Sequence, residues 1–187
     1  MAYTVDQHIA LKRVSEIAAS PCGTWLAVSV QRLDRDAAKY VSDLWKVPTD
    51  GSPAVQLTRG DCKDAAPCFR HDGALGFLSN RTPNETKPDE HADKRMQVWL
   101  LPAAGGEPQQ LTDEPLGIEG FRFAPSADRM VYFAPVIPGV AHDKQRETAT
   151  ERAKKGPNRS SGSSGVGPMS YEIGTKDDPD WDGCDDD

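Results

Sequence analysis

Residues 43–58 read DLWKVPTDGSPAVQLT, and residues 97–112 read QVWLLPAAGGEPQQLT. The two stretches align without a gap, and six of their sixteen positions are identical. The identical pairs are Trp45/Trp99, Pro48/Pro102, Gly51/Gly105, Gln56/Gln110, Leu57/Leu111 and Thr58/Thr112. A repeat with a period of about 40–50 residues is typical of a β-propeller blade or of a solenoid unit.

Each copy of this repeat predicts a β-hairpin. The first limb, 44–47 or 98–101, is short and apolar, and the proline that follows it cannot donate a hydrogen bond to a central strand. A glycine in the next segment supplies the positive φ that a tight turn needs. The second limb follows at 55–58 or 109–112. Apolar limbs of this length, bounded by Pro and Gly, favour strands over helices.

A second motif occurs three times, as a turn between two apolar limbs. The second position of the turn falls at Pro21, His71 and Pro125, which are nearly evenly spaced along the chain. Proline at this position, with glycine at the fourth, suits a type I turn in the first copy. Together the two motifs give four short strands per unit, which indicates a propeller blade rather than a helical solenoid.

The expected fold class is therefore all-β, a partial β-propeller of four-stranded antiparallel blades with a disordered acidic C-terminal tail. Residues 1–16 form a lead-in, either a short helix or an entry strand, and residues 17–140 hold about two and a half blades. Residues 141–168 are a charged helix or linker, and residues 169–187 are the tail. Two charged segments inside the repeats, 31–40 and 81–95, are interpreted as solvated loops.

The net charge of −7 is concentrated at the C-terminal end of the chain. Residues 156–187 carry eight acidic and two basic side chains, a charge of −6, which leaves −1 for residues 1–155. Because the body has no basic face to hold phosphates, nucleic acid is not an expected partner.

Membrane and secretion signals are not apparent in the sequence. No apolar run approaches the ~20 residues that a membrane span needs, and the N-terminus has no signal-peptide core. We therefore expect a cytoplasmic location and no membrane partner. Cys22, Cys62, Cys68 and Cys184 contain no C-x-x-C pair, so free thiols are expected in a reducing compartment.

The repeats resemble those of two propeller groups. Residues 20–27, SPCGTWLA, resemble the S-P-D-G-[KR]-x-L-A turn of TolB-like and prolyl oligopeptidase propellers, and 43–58 resembles their D-[LI]-W…G-G…[RQ]-L-T hairpin. Residues 11–21, LKRVSEIAASP, resemble the start of the propeller in the prolyl oligopeptidase family, especially its acylaminoacyl-peptidase-like and dipeptidyl-peptidase-like members. The resemblance covers about residues 9–155.

In the prolyl oligopeptidase family the propeller caps an α/β-hydrolase domain with a Ser–Asp–His triad. This chain has no G-x-S-x-G nucleophile elbow, and the GSSG sequence at 162–165 has the wrong spacing. None of His8, His71, His91 and His142 lies in the context of a catalytic base. The resemblance therefore assigns no catalytic residue, cofactor or metal ligand to the chain.

Two hypotheses follow from the resemblance. The first is a truncated N-terminal propeller region of a serine peptidase, which acts in proteolysis only as part of a longer chain and filters short peptide substrates. The alternative is a non-catalytic TolB-like module that binds a protein partner. The sequence leaves the oligomeric state open.

Aromatic and thiol side chains are candidates for binding sites. Trp45 and Trp99 occupy repeat-equivalent positions, which favours packing between blades over lining a ligand channel. Cys62 and Cys68 flank a predicted turn, and Cys68 is interpreted as a buried thiol.

Two acidic segments are candidates for metal sites. Residues 178–183, DPDWDG, match the start of a calcium loop, but the acidic residue at the twelfth position and the flanking helices are missing. His91 lies among Asp89, Glu90 and Asp93. A charged loop explains this grouping better than a metal site does. We interpret both segments as solvated and expect no metal.

Overall fold

The chain forms three antiparallel β-sheets that follow one another along the sequence. The structure, a computed structural model, describes residues 4–34, 36, 38–82, 95–155 and 170–177. A short helix, α1 (Val5–Ile9), precedes the first sheet. It begins at a capping box, in which the Thr4 hydroxyl accepts a hydrogen bond from the Gln7 amide and the Gln7 side chain accepts one from the Thr4 amide.

The first sheet contains four strands in sequence order: β1 (Arg13–Ala19), β2 (Trp25–Leu33), β3 (Tyr40–Pro48) and β4 (Val55–Gln56). The predicted type I turn joins β1 to β2, and its Gly23 has a φ of 70°, a region that glycine enters without steric cost. β3 ends at the proline, as the sequence predicts, because proline has no amide hydrogen for the ladder.

The second sheet repeats the arrangement of the first. Its strands are β5 (Asp64–Phe69), β6 (Leu75–Ser79), β7 (Gln97–Leu101) and β8 (Gln109–Gln110), again paired antiparallel in sequence order. Both predicted hairpins of the repeat are therefore present, one at the outer half of each sheet.

The third sheet contains β9 (Gly120–Phe123), β10 (Arg129–Val136) and β11 (Ser170–Asp177), in that spatial order. Between β10 and β11 lie a 3₁₀ turn (His142–Lys144) and a helix, α2 (Gln145–Lys155), where the sequence predicts a charged helix or linker. Neither helix of the described part is long and apolar enough to cross a lipid bilayer.

Strand β11 corrects the prediction of a disordered tail over residues 169–187. Its backbone pairs with β10 from Ser170 to Asp177, and the unpaired ladder groups of a long edge strand explain why a polar segment is recruited. Residues 178–187 and the second half of the predicted helix or linker, 156–168, lie outside the described residues.

The predicted loop at 31–40 is also corrected. β2 runs on to Leu33 and β3 starts at Tyr40, so that only the short connection 34–39 joins them. Inter-strand pairing overrides the charged composition here, since Arg32 forms an ion pair with Asp43 across the hairpin at 2.7 Å. The lead-in contains both expected elements, because β1 begins at Arg13 after α1.

The identical residues of the repeat make identical hydrogen bonds. Thr58 accepts a hydrogen bond from the Leu44 amide at 2.9 Å, and Thr112 accepts one from the Val98 amide at 2.9 Å. Gln56 and Gln110 each donate to the carbonyl of the threonine two residues later. The Q-L-T segment thus ties the end of each hairpin back to the central strand.

The core consists of two apolar layers, one between each pair of successive sheets. The first layer contains Trp25, Ala27, Leu44, Leu57, Phe69, Leu75, Phe77, Trp99 and Leu101. The second contains Leu78, Val98, Ile118, Phe121 and Met130, with further half-buried side chains around them. Burial of apolar area in these layers is the main force that holds the sheets against one another.

The second and third sheets approach closely at Gly76. A Cβ built on Gly76 would lie 2.8 Å from Cζ of Phe123 and 2.9 Å from Cε2 of Phe121, closer than side-chain carbons normally come. The two rings meet edge to face, with centroids 5.5 Å apart. Glycine is required in β6 because the aromatic pair of β9 occupies the space of a side chain.

Candidate functional site

A cavity of about 550 Å³ lies where the first strands of the three sheets come together. We call it the inner cavity. It is lined by Ile17, Ala18, Ala19, Pro21, Pro67, Cys68, Phe69, Arg70, His71, Arg122, Phe123, Ala124 and Pro125. These residues belong to β1, β5, β9 and the turns that follow them.

The repeated turn forms the mouth of the inner cavity. Pro21, His71 and Pro125, the residues at its second position in the three copies, all line the cavity. Because each turn connects the first strand of a sheet to the second, stacking the sheets brings the three turns to the same end. The repeat in the sequence thus becomes a set of equivalent positions around one opening.

The rim of the cavity carries a small charged cluster. His71 Nδ1 lies 3.5 Å from Asp128 Oδ1, and Arg70 Nη2 donates to Asp72 Oδ2 at 2.6 Å. The hydrogen bonds from Arg70 and the Ala74 amide hold the pKa of Asp72 at about 2, so this carboxylate is ionised at neutral pH. Arg70 Nε also lies 3.8 Å from Asp128 Oδ1, so opposite charges connect the second turn to the third at the rim.

The wall between the first and second sheets is partly apolar. Phe69 of β5 meets Trp25 of β2 edge to face, with ring centroids 4.8 Å apart, and Lys46 lies over the Trp25 ring at 5.0 Å from its centroid. An apolar wall with a few polar groups at the opening is the usual composition of a small-ligand pocket.

A bulge in β5 shapes this wall. The register of β5 shifts between Ala65 and Cys68, and Ala66 adopts a φ of 51°, a left-handed conformation that is uncommon for a residue with a side chain. The Glu16 carboxylate of β1 accepts the hydrogen bond of the Ala66 amide. Glu16 therefore satisfies the amide that the bulge leaves unpaired and ties the first sheet to the second.

Asp64, at the start of β5, joins three sheet strands and a loop. Its side chain is fully buried, accepts a hydrogen bond from Ser79 at 2.7 Å and pairs with Arg81 at 2.5 Å. Its main-chain carbonyl accepts hydrogen bonds from Ser29 at 2.8 Å and Ser42 at 2.7 Å. The network fixes the second sheet against the first, and so fixes the position of the cavity wall.

Cys22 lies in the first turn, next to the mouth. Hydrogen bonds from the hydroxyls of Ser20 and Thr24 lower the pKa of its thiol from 9.0 to about 7. The pKa of Cys62, by contrast, is raised by burial and by the nearby Asp64 carboxylate. The two thiols therefore differ in ionisation at neutral pH.

We predict that Cys22 is alkylated by iodoacetamide with a rate that titrates near pH 7. Its lower pKa raises the thiolate fraction at pH 7 from about one hundredth to about one half, while the weaker nucleophilicity of a less basic thiolate offsets part of the gain. The net expectation is about five- to tenfold faster alkylation than in a Ser20→Ala/Thr24→Val double variant. Peptide mapping by mass spectrometry over a pH series measures the rate at this site. Equal rates in both proteins would contradict the role of the two hydroxyls.

The structure separates the two tryptophans that the repeat pairs. Trp99 is buried in the layer between the first and second sheets, which is the packing that the sequence favours. Trp45 is half-buried on the opposite side of the first sheet, with Lys12 at 5.8 Å from its ring centroid. Neither tryptophan is among the residues that line the inner cavity.

The other candidate residues are not brought together. Cys62 precedes β5 and Cys68 lies within it, so the turn expected between them is a bulged strand; both are half-buried free thiols. His142 contacts Glu114 at 3.1 Å, and in the described part of the chain no serine hydroxyl bonds to a histidine. Among the described residues no cluster of His, Cys, Asp and Glu is suited to a metal ion.

His91 and the DPDWDG segment at 178–183 lie outside the described residues. The sequence reasoning missed Glu16, Asp64 and Asp128, each of which acts through a partner far along the chain. Asp128, for example, belongs to the third copy of the turn, whereas its partner His71 belongs to the second. Of the features of the cavity, only its mouth could have been found from the sequence, because the three repeated turns that form it are recognisable there.

Comparisons with known proteins relate the chain to peptidases. It is 24% identical over 146 residues to the uncharacterized peptidase YuxL of Bacillus subtilis, a match that covers 78% of this chain and 21% of that protein. It is 32% identical over 130 residues to dipeptidyl-peptidase 5 of Porphyromonas gingivalis, with 69% of this chain and 17% of that protein covered. The chain thus spans about a fifth of the length of the curated relatives it matches. No protein-family model matches it.

Among solved structures, the AtxE2 isopeptidase has the same fold over most of this chain. The TM-score is 0.61 at 17% identity, with 94% of this chain and 30% of that chain covered. The similarity supports a propeller-like arrangement of antiparallel sheets, although the described residues do not close a propeller. The sequence relatives and this fold together establish a peptidase-related, propeller-like chain.

Proposed function

We propose that the chain is part of the β-propeller of a prolyl-oligopeptidase-like serine peptidase, and that its inner cavity filters peptide substrates. The catalytic domain would lie outside these 187 residues. The observation that carries the proposal is the convergence of Pro21, His71 and Pro125 around one opening, in a chain whose relatives are peptidases.

The dimensions of the inner cavity support a filter for short peptides. Its volume of about 550 Å³ falls in the range of about 300–1,000 Å³ that is usual for small-ligand pockets. Phe69 and Phe123 offer apolar surface, while Arg70, His71 and Arg122 offer polar contacts. We expect an opening of this size to admit an extended peptide segment and to exclude a folded protein.

The cytoplasm is the proposed location. The thiols of Cys22, Cys62 and Cys68 are all free in the structure, as is usual in a reducing compartment. Peptides are the proposed substrates of the whole protein, reached through this region.

The proposal is tested on the gene and then on the longer protein. Reading the nucleotide sequence downstream of Asp187 in all three frames should reveal a hydrolase domain with a G-x-S-x-G elbow.

The second test uses the longer protein, in which this chain is joined to that hydrolase domain. Its kcat/KM should fall as the length of the peptide substrate increases. Phe123→Ala should weaken this dependence on length by widening the cavity. The matched control is Phe133→Ala, a replacement of the same type outside the cavity. A length dependence that Phe123→Ala leaves unchanged would contradict the filter, and the absence of a hydrolase frame would favour a non-catalytic TolB-like binding module.

We predict that the purified 187-residue chain does not hydrolyse aminoacyl or acyl-aminoacyl p-nitroanilides. Covalent peptidase chemistry needs a nucleophile, a base within hydrogen-bond reach and oxyanion donors held by one scaffold. The residual activity of about 10³–10⁴-fold over water that survives loss of a triad also depends on an oxyanion hole. Turnover of these p-nitroanilides and labelling of serine by a fluorophosphonate test the prediction. Stoichiometric labelling of any serine would show that the chain carries its own nucleophile.

A further inference from the structure

The first strand of each sheet has one edge that pairs with no other strand. In the described structure β1, β5 and β9 each pair with a single neighbour, so the main-chain groups on their other edge have no strand partner. All three strands contribute residues to the inner cavity. An unpaired edge presents amide donors and carbonyl acceptors that a peptide in extended conformation can bind.

Hydrogen bonds at the repeated turn fix the direction of the last amide in each of these strands. The amides of Ser20, Arg70 and Ala124 donate across their turns to main-chain carbonyls, at 3.0, 2.9 and 2.8 Å. Because residues along a paired strand direct their main-chain groups to opposite edges in turn, the residue before each of these directs its amide and carbonyl away from the sheet. These residues end β1, β5 and β9: Ala19, Phe69 and Phe123.

Ala19, Phe69 and Phe123 all line the inner cavity. They occupy equivalent positions of the repeat, two residues before the second position of each turn. Within the described residues their outward main-chain groups make one contact, from the Cys68 thiol to the Phe69 carbonyl at 3.9 Å. A carbonyl oxygen has two lone pairs, so this weak donor leaves it able to accept a second hydrogen bond. Stacking of the sheets therefore directs three main-chain donors and three acceptors towards one cavity.

We propose that the inner cavity binds its substrates through their main chain, as extended peptides whose amides and carbonyls pair with Ala19, Phe69 and Phe123. The inference rests on the proposed function, because it assigns the way in which the cavity holds the peptides that it filters. Main-chain pairing gives affinity that does not depend on the side chains of the substrate. The substrate class is therefore linear peptides of varied sequence. Peptides with N-methylated amides or many prolines bind poorly, because they lack the donors.

The charged side chains of the cavity already have partners, which favours recognition by the main chain. Arg70 donates to Asp72 at 2.6 Å, and Arg122 donates to the Phe121 carbonyl at 2.8 Å. A substrate side chain would compete with these contacts, whereas the outward groups of the strands bond to no other strand. β5 lies between β1 and β9, so described strands flank the central part of this site on both sides.

Fluorescence anisotropy of labelled hexapeptides with the purified 187-residue chain tests the proposal. Two capped hexapeptides of unrelated, uncharged sequence should bind with dissociation constants within about threefold of each other. An analogue of either peptide with all internal amides N-methylated should bind at least about tenfold more weakly, since it loses several hydrogen bonds.

Ala19→Pro removes one outward donor from the protein. The amide of Ala19 does not bond to β2, so the sheet should keep its hydrogen bonds, and Pro67 in β5 shows that the first strand of a sheet accommodates proline. The variant should bind the unmethylated hexapeptides about three- to tenfold more weakly, the effect of one lost hydrogen bond. The matched control is Ala19→Ser, which keeps the amide and should bind like the wild type. Circular dichroism checks that both variants are folded.

Equal affinities for methylated and unmethylated peptides would overturn main-chain recognition, whether or not Ala19→Pro folds. Equal binding by folded Ala19→Pro and Ala19→Ser would also overturn it, as would the absence of binding at millimolar peptide. Failure of the proposed function is a different result, because it appears in the longer protein as a kcat/KM that does not vary with peptide length. A cavity that filters by size alone would show the length dependence without the effect of N-methylation.

Discussion

Replacing Asp64 with alanine is expected to lower the free energy of unfolding by about 3–5 kcal/mol, the usual cost of removing one partner of a buried ion pair. The substitution leaves the Arg81 guanidinium without its carboxylate, in a place where it lies over the rings of Phe77 and Trp99 at 5.1 and 5.5 Å. It also leaves the Ser79 hydroxyl without its acceptor. Urea denaturation followed by tryptophan fluorescence measures the loss.

Asp72→Ala is the matched control for Asp64→Ala. Asp72 also pairs with an arginine, but its side chain is 40% exposed and water solvates the ion pair. We expect a loss of less than about 1 kcal/mol for this variant. If the two alanine variants lost the same stability, the burial of the Asp64 network would have no energetic consequence and its role in joining the sheets would be wrong.

Phe77→Ala should produce a loss of similar size, about 3–5 kcal/mol, through a cavity in the core. Phe77 is fully buried in the layer that includes Ala27, Leu44 and Trp99. Side chains on two different sheets line the space it fills, and the strand pairing within each sheet prevents them from collapsing into it. The midpoint of urea unfolding should shift with little change in slope.

The control for Phe77→Ala is Phe133→Ala, which removes the same atoms from a 47% exposed site. This surface change should lower the free energy of unfolding by only about 0.5 kcal/mol or less. Comparable losses at the two sites would mean that the layer between the first and second sheets is not a packed core.

The hairpins could be predicted from the sequence because their determinants are local. Pro48, Gly51 and the Q-L-T segment act on residues close to them in the chain, and the second copy of the repeat supports each of them independently. The strand ends at 33 and 40 could not be predicted, because cross-strand pairing rather than composition decides where a ladder stops.

The candidate site also has a part that could be predicted from the sequence and a part that could not. The mouth was predictable in part from the repeated turns, whose second positions converge once the sheets stack. The polar contacts at and behind the rim could not be predicted, because only tertiary folding brings their partners together. Glu16 contacts Ala66 in this way, and His71 contacts Asp128. Such pairs leave no periodic signal in a single sequence.

The third sheet differs from the first in the length of chain that separates its paired strands, which affects the stage of folding at which it can form. The short connection 34–39 separates β2 from β3, whereas the much longer connection 137–169 separates β10 from β11. Loop-closure entropy grows with the logarithm of the length of the connection, so bringing β11 to β10 costs about 1.5 kcal/mol more than closing the first hairpin. We therefore expect the first sheet to assemble from neighbours in sequence and β11 to join later. Until β11 joins, the edge of β10 is unpaired, and an unpaired edge strand is open to mispairing.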